Sequence, residues 1–198
     1  MSRWAILLTF LGALLAPAAT AITIVDTFPD GGGGAHGFGT AQEMAQSFTP
    51  ASTTTLGHID VDISLTSGGT SHVQINVWSS SGSLPGATLI ATANLDGLTA
   101  ATPRVVGVDF PTLPTLTGGV TYWVGVDAGA GTSINWIISQ GGASVAEPYR
   151  ADGGAWQVNF GGANTFRVLS TAGATVPEPA TVLLAALGLG LSTRRRRR

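Results

Sequence analysis

The sequence predicts an all-β protein, a single antiparallel β-sandwich that is jelly-roll-like, flanked by two short apolar segments. Apolar and polar residues alternate in short runs across residues 22–175, the pattern of half-buried strands. Clusters of Gly, Ser, Thr and Pro separate the runs, and none of the runs has helical periodicity. A body of this length can form one core between two sheets packed face to face.

The strands follow from the alternation, taken in chain order. The clearest runs are Ile59–Leu65, Val73–Val77, Val106–Phe110, Val120–Val126, Trp156–Phe160 and Phe166–Val168. Weaker patterns predict strands at Ile22–Phe28, Glu43–Phe48, Leu89–Asn94 and Asn135–Ser139. Pro85-Gly86 predicts a type II turn, and the Gly pairs at 118–119 and 161–162 predict further turns. The Gly-rich stretch 31–39 predicts a flexible loop, since it lacks the Lys and the following helix of a phosphate cradle.

Residues 1–21 have the features of a signal peptide. Arg3 supplies the positive start, and the apolar run Trp4–Ala16 has the length of a signal-peptide core. Ala19 and Ala21 fit the small-x-small pattern of a signal-peptidase site, so we expect cleavage after Ala21. A retained anchor or a buried helix is the alternative. The segment predicts that the protein is exported.

The composition excludes several functions of the body. The chain has no Cys and no Lys, which excludes thiol nucleophiles, disulfide frameworks, Schiff-base lysines and P-loops. Residues 22–176 hold three Arg against ten acidic residues, a net charge of −7, so nucleic acid is not an expected partner. No cofactor is predicted.

The segment 176–198 combines three features. Val176, Pro177, Glu178 and Pro179 end the body, because prolines break a helix or a central strand. Residues 180–193 predict an apolar helix of about 21 Å, short of the ~30 Å hydrocarbon core of a membrane. A block of five arginines follows it: Arg194, Arg195, Arg196, Arg197 and Arg198. Because five arginines are costly to translocate, we expect a transmembrane stop with this tail in the cytoplasm.

Motif, apolar helix and arginine block in this order resemble the PEP-CTERM sorting signal of Gram-negative bacteria. The resemblance implies recognition by exosortase, cleavage near Pro177-Glu178-Pro179 and delivery to the cell surface or extracellular matrix. A GPI anchor signal is the nearest alternative, but such a signal does not end in a block of arginines. An ordinary tail anchor with a positive stop remains an alternative.

The body itself resembles the choice-of-anchor family of bacterial surface domains over roughly residues 40–140. The segments that carry the resemblance are Ala45–Thr49, Val73–Trp78, Ser81–Gly86 and Gly119–Val124. The resemblance implies an extracellular β-sandwich without catalytic residues, and none is predicted.

Two groups of side chains in the body are candidate binding sites. His58, Asp60 and Asp62 fall on one face of a strand, where Asp oxygens could bind a cation such as Ca²⁺ or simply face solvent. Trp78 and Trp123 lie opposite the apolar phase of their strands, and exposed indoles at these positions could stack on sugar rings. The alternative is that these indoles, with Trp136 and Trp156, cap the sandwich or cover its edges.

Three functions remain compatible with the sequence. The favoured one is a non-enzymatic surface or matrix protein, sorted by exosortase and associated with exopolysaccharide or biofilm. The second is a carbohydrate-binding module that uses exposed Trp. The third is a secreted hydrolase, which requires a concave pocket that contains a His with a carboxylate or Ser.

Overall fold

A computed structural model of the chain describes residues 21–28, 33–66, 72–96, 98, 102–139, 145–151 and 153–171. All regular secondary structure in these residues is β-strand. The strands are β1 Thr23–Asp26, β2 Ala35–Phe38, β3 Gln42–Phe48, β4 Thr54–Leu65, β5 His72–Ser81, β6 Leu84–Asp96, β7 Arg104–Asp109, β8 Thr115–Leu116, β9 Tyr122–Ala128, β10 Ile134–Ile137, β11 Val145–Ala151, β12 Gln157–Gly161 and β13 Phe166–Ser170. The all-β prediction is confirmed.

The strands form two sheets in which every pair is antiparallel. Sheet A has seven strands in the order β1-β13-β4-β10-β2, with β7 and β8 also paired to β4. Sheet B has six strands in the order β12-β11-β3-β9-β5-β6. Both sheets have open edges, and β2 and β12 are edge strands of sheets A and B.

One hydrophobic cluster joins the inner faces of the two sheets. The predicted face of β4 supplies Ile59, Val61, Ile63 and Leu65, all at most 6% exposed. Val73, Ile75 and Val77 of β5 meet them in the same cluster, as do Phe166 and Val168 of β13. The alternation therefore identified the inner face of three central strands correctly.

The hairpin between β5 and β6 corrects one predicted turn. Ser81 pairs with Leu84, so the loop is Gly82-Ser83 rather than Pro85-Gly86. Gly82 has a φ of 63°, which the first loop position of a type II′ hairpin requires. Pro85 then lies within β6, where proline is tolerated because β6 is an edge strand.

The strand at Trp156–Phe160 was predicted with its apolar phase in the core, and this is wrong. Strand β12 is an edge strand, and Val158 and Phe160 are 43% and 71% exposed. Val120 is also exposed, because β9 begins only at Tyr122. An apolar phase is buried only where another layer covers it.

Strands β2, β8 and β11 were not predicted. Part of the Gly-rich stretch expected to be a flexible loop is β2, which pairs with β10 from Ala35 to Phe38. Its Gly37 lies opposite Asn135, and a Cβ there would come 2.9 Å from the Asn135 Oδ1. Glycine in this strand thus allows a close approach between two strands.

Candidate functional site

The outer face of sheet A carries a charged network centred on Asp60. Asp60 Oδ2 accepts hydrogen bonds from Arg167 Nε and Nη2 at 2.9 and 2.7 Å. His58 Nε2 lies 2.9 Å from Asp60 Oδ1, and His58 Nδ1 lies 2.7 Å from Asp109 Oδ1. Gly107 of β7 permits the arrangement, because a Cβ there would come 2.2 Å from His58 Nε2. His58 therefore bridges two carboxylates.

This network changes the protonation of His58. Burial lowers the pKa of the imidazole, but hydrogen bonds to Asp109 and Asp60 outweigh it and raise the pKa above the usual 6.5. The protonated ring donates from both nitrogens, as two carboxylate partners require. The group acts as a local ion-pair link between β4 and β7.

The predicted cation site at Asp60 and Asp62 does not form in this arrangement. Both Asp60 oxygens are engaged by His58 and Arg167, whereas Asp62 Oδ1 is buried without a hydrogen-bond partner among the described residues. Burial raises the pKa of Asp62. In the part of the chain that the structure describes, no three His, Cys, Asp or Glu side chains are grouped to hold a metal ion.

Trp78 and Trp123 do point away from the main core, but the prediction that they are exposed is wrong. They are 9% and 3% exposed and form a second cluster with Ala45 on the outer face of sheet B. Trp156 packs against this cluster, with its ring edge-to-face to Trp78. Trp136 is fully buried in the main core and donates its Nε1–H to the Thr165 carbonyl. The flat faces of Trp78 and Trp123 are covered.

Arg150 and Glu43 complete the covering of these indoles. The Arg150 guanidinium carbon lies 4.5 Å from the ring centroids of both Trp78 and Trp156, within cation–π range. Its Nε and Nη2 donate to Glu43 Oε2 at 2.9 and 2.7 Å. Glu43 Oε1 accepts from Trp78 Nε1 at 2.7 Å and from Asn76 Nδ2 at 3.0 Å. Every contact of this set is internal, which fits a structural role.

The three histidines lie in different contacts, and one pairs with a buried carboxylate. His36 of β2 places Nδ1 2.6 Å from Oε1 of Glu147, which lies on β11 and is 0% exposed. The two side chains are in ion-pair contact. His72, in contrast, lies beside Gly129 and Thr132. Sequence reasoning missed Glu147, because nothing local marks a lone Glu beside Pro148 as buried.

Burial raises the pKa of Glu147 above the usual 4.5, and the charge and hydrogen bonding of His36 oppose that rise. The carboxylate can therefore accept a proton more readily than an exposed Glu. His36 comes from β2, an edge strand of sheet A, and Glu147 comes from β11, the strand next to the edge of sheet B.

The predicted signal-peptide and sorting segments lie outside the described residues. These include Ala19, the motif Val176 to Pro179, the residues 180–193 predicted as a helix, and Arg194 to Arg198. Ala21 is described but belongs to no strand. In the described part of the chain, no helix has the length and apolar character needed to cross a membrane.

Comparison with known proteins identifies the segment that the structure leaves undescribed. Residues 175–198 match the family model of the PEP-CTERM protein-sorting motif, a range that includes the residues 176–198 that carry the resemblance in the sequence. A search of curated proteins found no match to the chain. The motif implies exosortase as processing partner, with export to the surface or exterior of a Gram-negative cell. Residues 175–198 of the chain thus carry a PEP-CTERM protein-sorting motif.

Proposed function

We propose that this chain is a non-enzymatic surface or extracellular-matrix protein whose tail is cleaved by exosortase near Pro177-Glu178-Pro179. The single observation that carries the proposal is the PEP-CTERM match over residues 175–198. Exosortase is then the enzyme, and Glu178 is part of its substrate. The body is the portion that is delivered.

The route follows from the charges and lengths of the two ends. Signal peptidase removes residues 1–21 after export begins. The apolar segment 180–193 then halts in the membrane, with Arg194 to Arg198 on the cytoplasmic side. A helix this short fits the bilayer only with local thinning and snorkelling arginines, which suits a temporary stop before cleavage.

The body acts, in this proposal, as a single jelly-roll-like sandwich of choice-of-anchor type associated with exopolysaccharide or biofilm. Two features support a stable carrier domain. Both sheets share one hydrophobic cluster, and residues 22–171 form one compact unit. The alternative module based on exposed Trp78 and Trp123 loses its support, since both rings are buried.

A variant in which Pro177, Glu178 and Pro179 are replaced with Ala tests the sorting proposal. Its processing and its localisation are followed in an exosortase-positive host. We expect the variant to accumulate uncleaved in the membrane fraction, while the parent chain reaches the surface or the medium. Leu113→Ala is the matched control, because Leu113 is exposed on the body and should not affect processing. Unchanged processing of the triple variant would refute the sorting proposal.

A further inference from the structure

A cleft opens where the edges of the two sheets meet. It has a volume of about 290 Å³ and lies between β2 of sheet A and strands β3, β11 and β12 of sheet B. Phe38, Met44 and Tyr149 provide apolar surface, while Gln42, His36 and Asn159 provide polar groups. This volume lies at the lower limit of small-molecule pockets, which start at about 300 Å³, and it suits a small ligand or one unit of a longer chain.

Behind this lining lies the buried carboxylate of Glu147. Its only close charged partner among the described residues is His36, whose Nδ1 lies 2.6 Å from Oε1, while Oε2 lacks a hydrogen-bond donor there. Burying a carboxylate oxygen without a donor is costly, and such a group calls for an explanation. Glu147 is 0% exposed and does not line the cleft, so it acts on the cleft through the His36 ring that it orients.

Gly161 of β12 leaves the space that the side chains of His36 and Glu147 occupy. A Cβ at this position would come 2.3 Å from Glu147 Oε2 and 2.5 Å from His36 Cε1, so any larger residue would displace the pair. Strand β12 also aligns Asn159 directly opposite Glu147 of β11. Alternate positions of one edge strand, Asn159 and Gly161, thus contribute an amide to the cleft and accommodate the pair.

The polar groups define the class of ligand. None of the described lining residues is Lys or Arg, and the Glu147 carboxylate repels anions in a region of low dielectric constant. Amide and imidazole groups both donate and accept hydrogen bonds. The side-chain carbonyl oxygen of Gln42 accepts a hydrogen bond from the Gly39 N–H at 3.0 Å. Its NH₂ group is therefore the part that would donate to an acceptor oxygen of the ligand. The ligand must be uncharged, rich in hydroxyls and partly apolar.

We propose that this cleft binds one unit of a neutral saccharide through His36, Asn159 and Gln42, with Phe38 and Met44 beneath the sugar ring. The inference rests on the proposed association of the body with extracellular polysaccharide and assigns it a site. This site is distinct from the Trp78–Trp123 cluster, which lies on the outer face of sheet B.

Calorimetric titration of the purified protein with cellotetraose, maltotetraose and mannotetraose tests the inference, with tetragalacturonate as an acidic comparator. We expect at least one neutral probe to bind. Asn159→Ala and Glu147→Gln should each weaken it by about fivefold or more, the loss expected for one hydrogen bond. Val158→Ala is the matched control, because Val158 lies on the same strand with an exposed side chain outside the cleft lining, and it should change the affinity less than about twofold.

Three results would overturn the inference. These are no binding of any neutral probe, preferred binding of tetragalacturonate, or binding that Asn159→Ala leaves unchanged. Asn159 is exposed on an edge strand, so its variant stays informative even if Glu147→Gln fails to fold. The mass of the purified protein shows whether exosortase has cleaved it. A failure of the sorting proposal is therefore detected by mass, and a failure of sugar binding is detected by calorimetry.

Discussion

At the scale of single residues, the ion pair between Glu43 and Arg150 is the most heavily constrained polar contact of the body. Glu43 is 3% exposed and accepts hydrogen bonds from three side chains. Gly125 lies so close that a Cβ would come 2.3 Å from Glu43 Oε1. A buried charge of this kind is tolerated only while its partner is present.

Arg150→Met should therefore lower the free energy of unfolding by about 3–5 kcal/mol, because Glu43 is left buried and uncompensated. Urea denaturation followed by Trp fluorescence measures the loss. Arg104→Met is the matched control, since Arg104 is exposed on β7, and it should stay within about 0.5 kcal/mol. Equal losses in the two variants would contradict the role of the pair. Adding Glu43→Gln to Arg150→Met should recover part of the stability.

His58 should make stability depend on pH. Its pKa in the folded state is raised above 6.5 by Asp109 and Asp60, against the effect of burial. The stabilisation is therefore fully present below about pH 6.5 and is lost as the pH rises through the folded-state pKa. The difference in unfolding free energy between the parent and His58→Gln should shrink by on the order of 1 kcal/mol from pH 6 to pH 9. A difference that grows with pH would contradict the assignment.

The tryptophans show what sequence could predict at this scale. Alternation places Trp78 and Trp123 on the face opposite the core, and this is where they lie. Their burial was not predictable, because Arg150 and Trp156 cover that face from distant parts of the chain. Asp60 is similar: its strand position follows from the pattern, but its partner Arg167 comes from β13.

At the scale of elements, strands were predictable where one face is buried throughout. Strands β4 and β5 have unbroken apolar phases. Strand β11 does not, because it contains Glu147 and Pro148, and the burial of Glu147 depends on β2 and β12. Local sequence patterns therefore could not predict the contact between His36 and Glu147. The cleft likewise forms only when the sheet edges meet.

The junction of β4 and β13 gives a prediction at this scale. Gly57 lies beside an irregular register between Leu169 and Ser170, and a Cβ there would come 2.6 Å from the Thr171 backbone N. Because backbone rather than a side-chain tip must move, Gly57→Ala should cost about 1–3 kcal/mol of unfolding free energy.

The matched control for this junction is Gly39→Ala. The nearest atom to a Cβ at Gly39 is the Ser133 Oγ, at an ordinary contact distance of 3.4 Å. Thermal unfolding followed by circular dichroism compares the two variants. The close approach of β4 and β13 would be refuted if Gly57→Ala unfolded at the same temperature as Gly39→Ala.

At the scale of the whole molecule, charge is divided by segment. Residues 22–176 carry a net charge of −7, whereas the chain as a whole is formally −2 because six of its nine arginines lie outside that body. The sorting motif was predictable because its signal is linear: an enzyme reads consecutive residues. The ligand of the body was not predictable, because a cleft depends on contacts between strands that are far apart in sequence.

Intact-mass measurement tests most directly whether exosortase cleaves this chain near Pro177-Glu178-Pro179. The protein is purified from two otherwise identical hosts, with and without exosortase. We predict that the exosortase-positive host yields a chain that lacks residues 1–21 and the segment beyond the motif, while the negative host yields one that lacks residues 1–21 alone. The same mass from both hosts, with Arg194 to Arg198 still present, would contradict cleavage by exosortase.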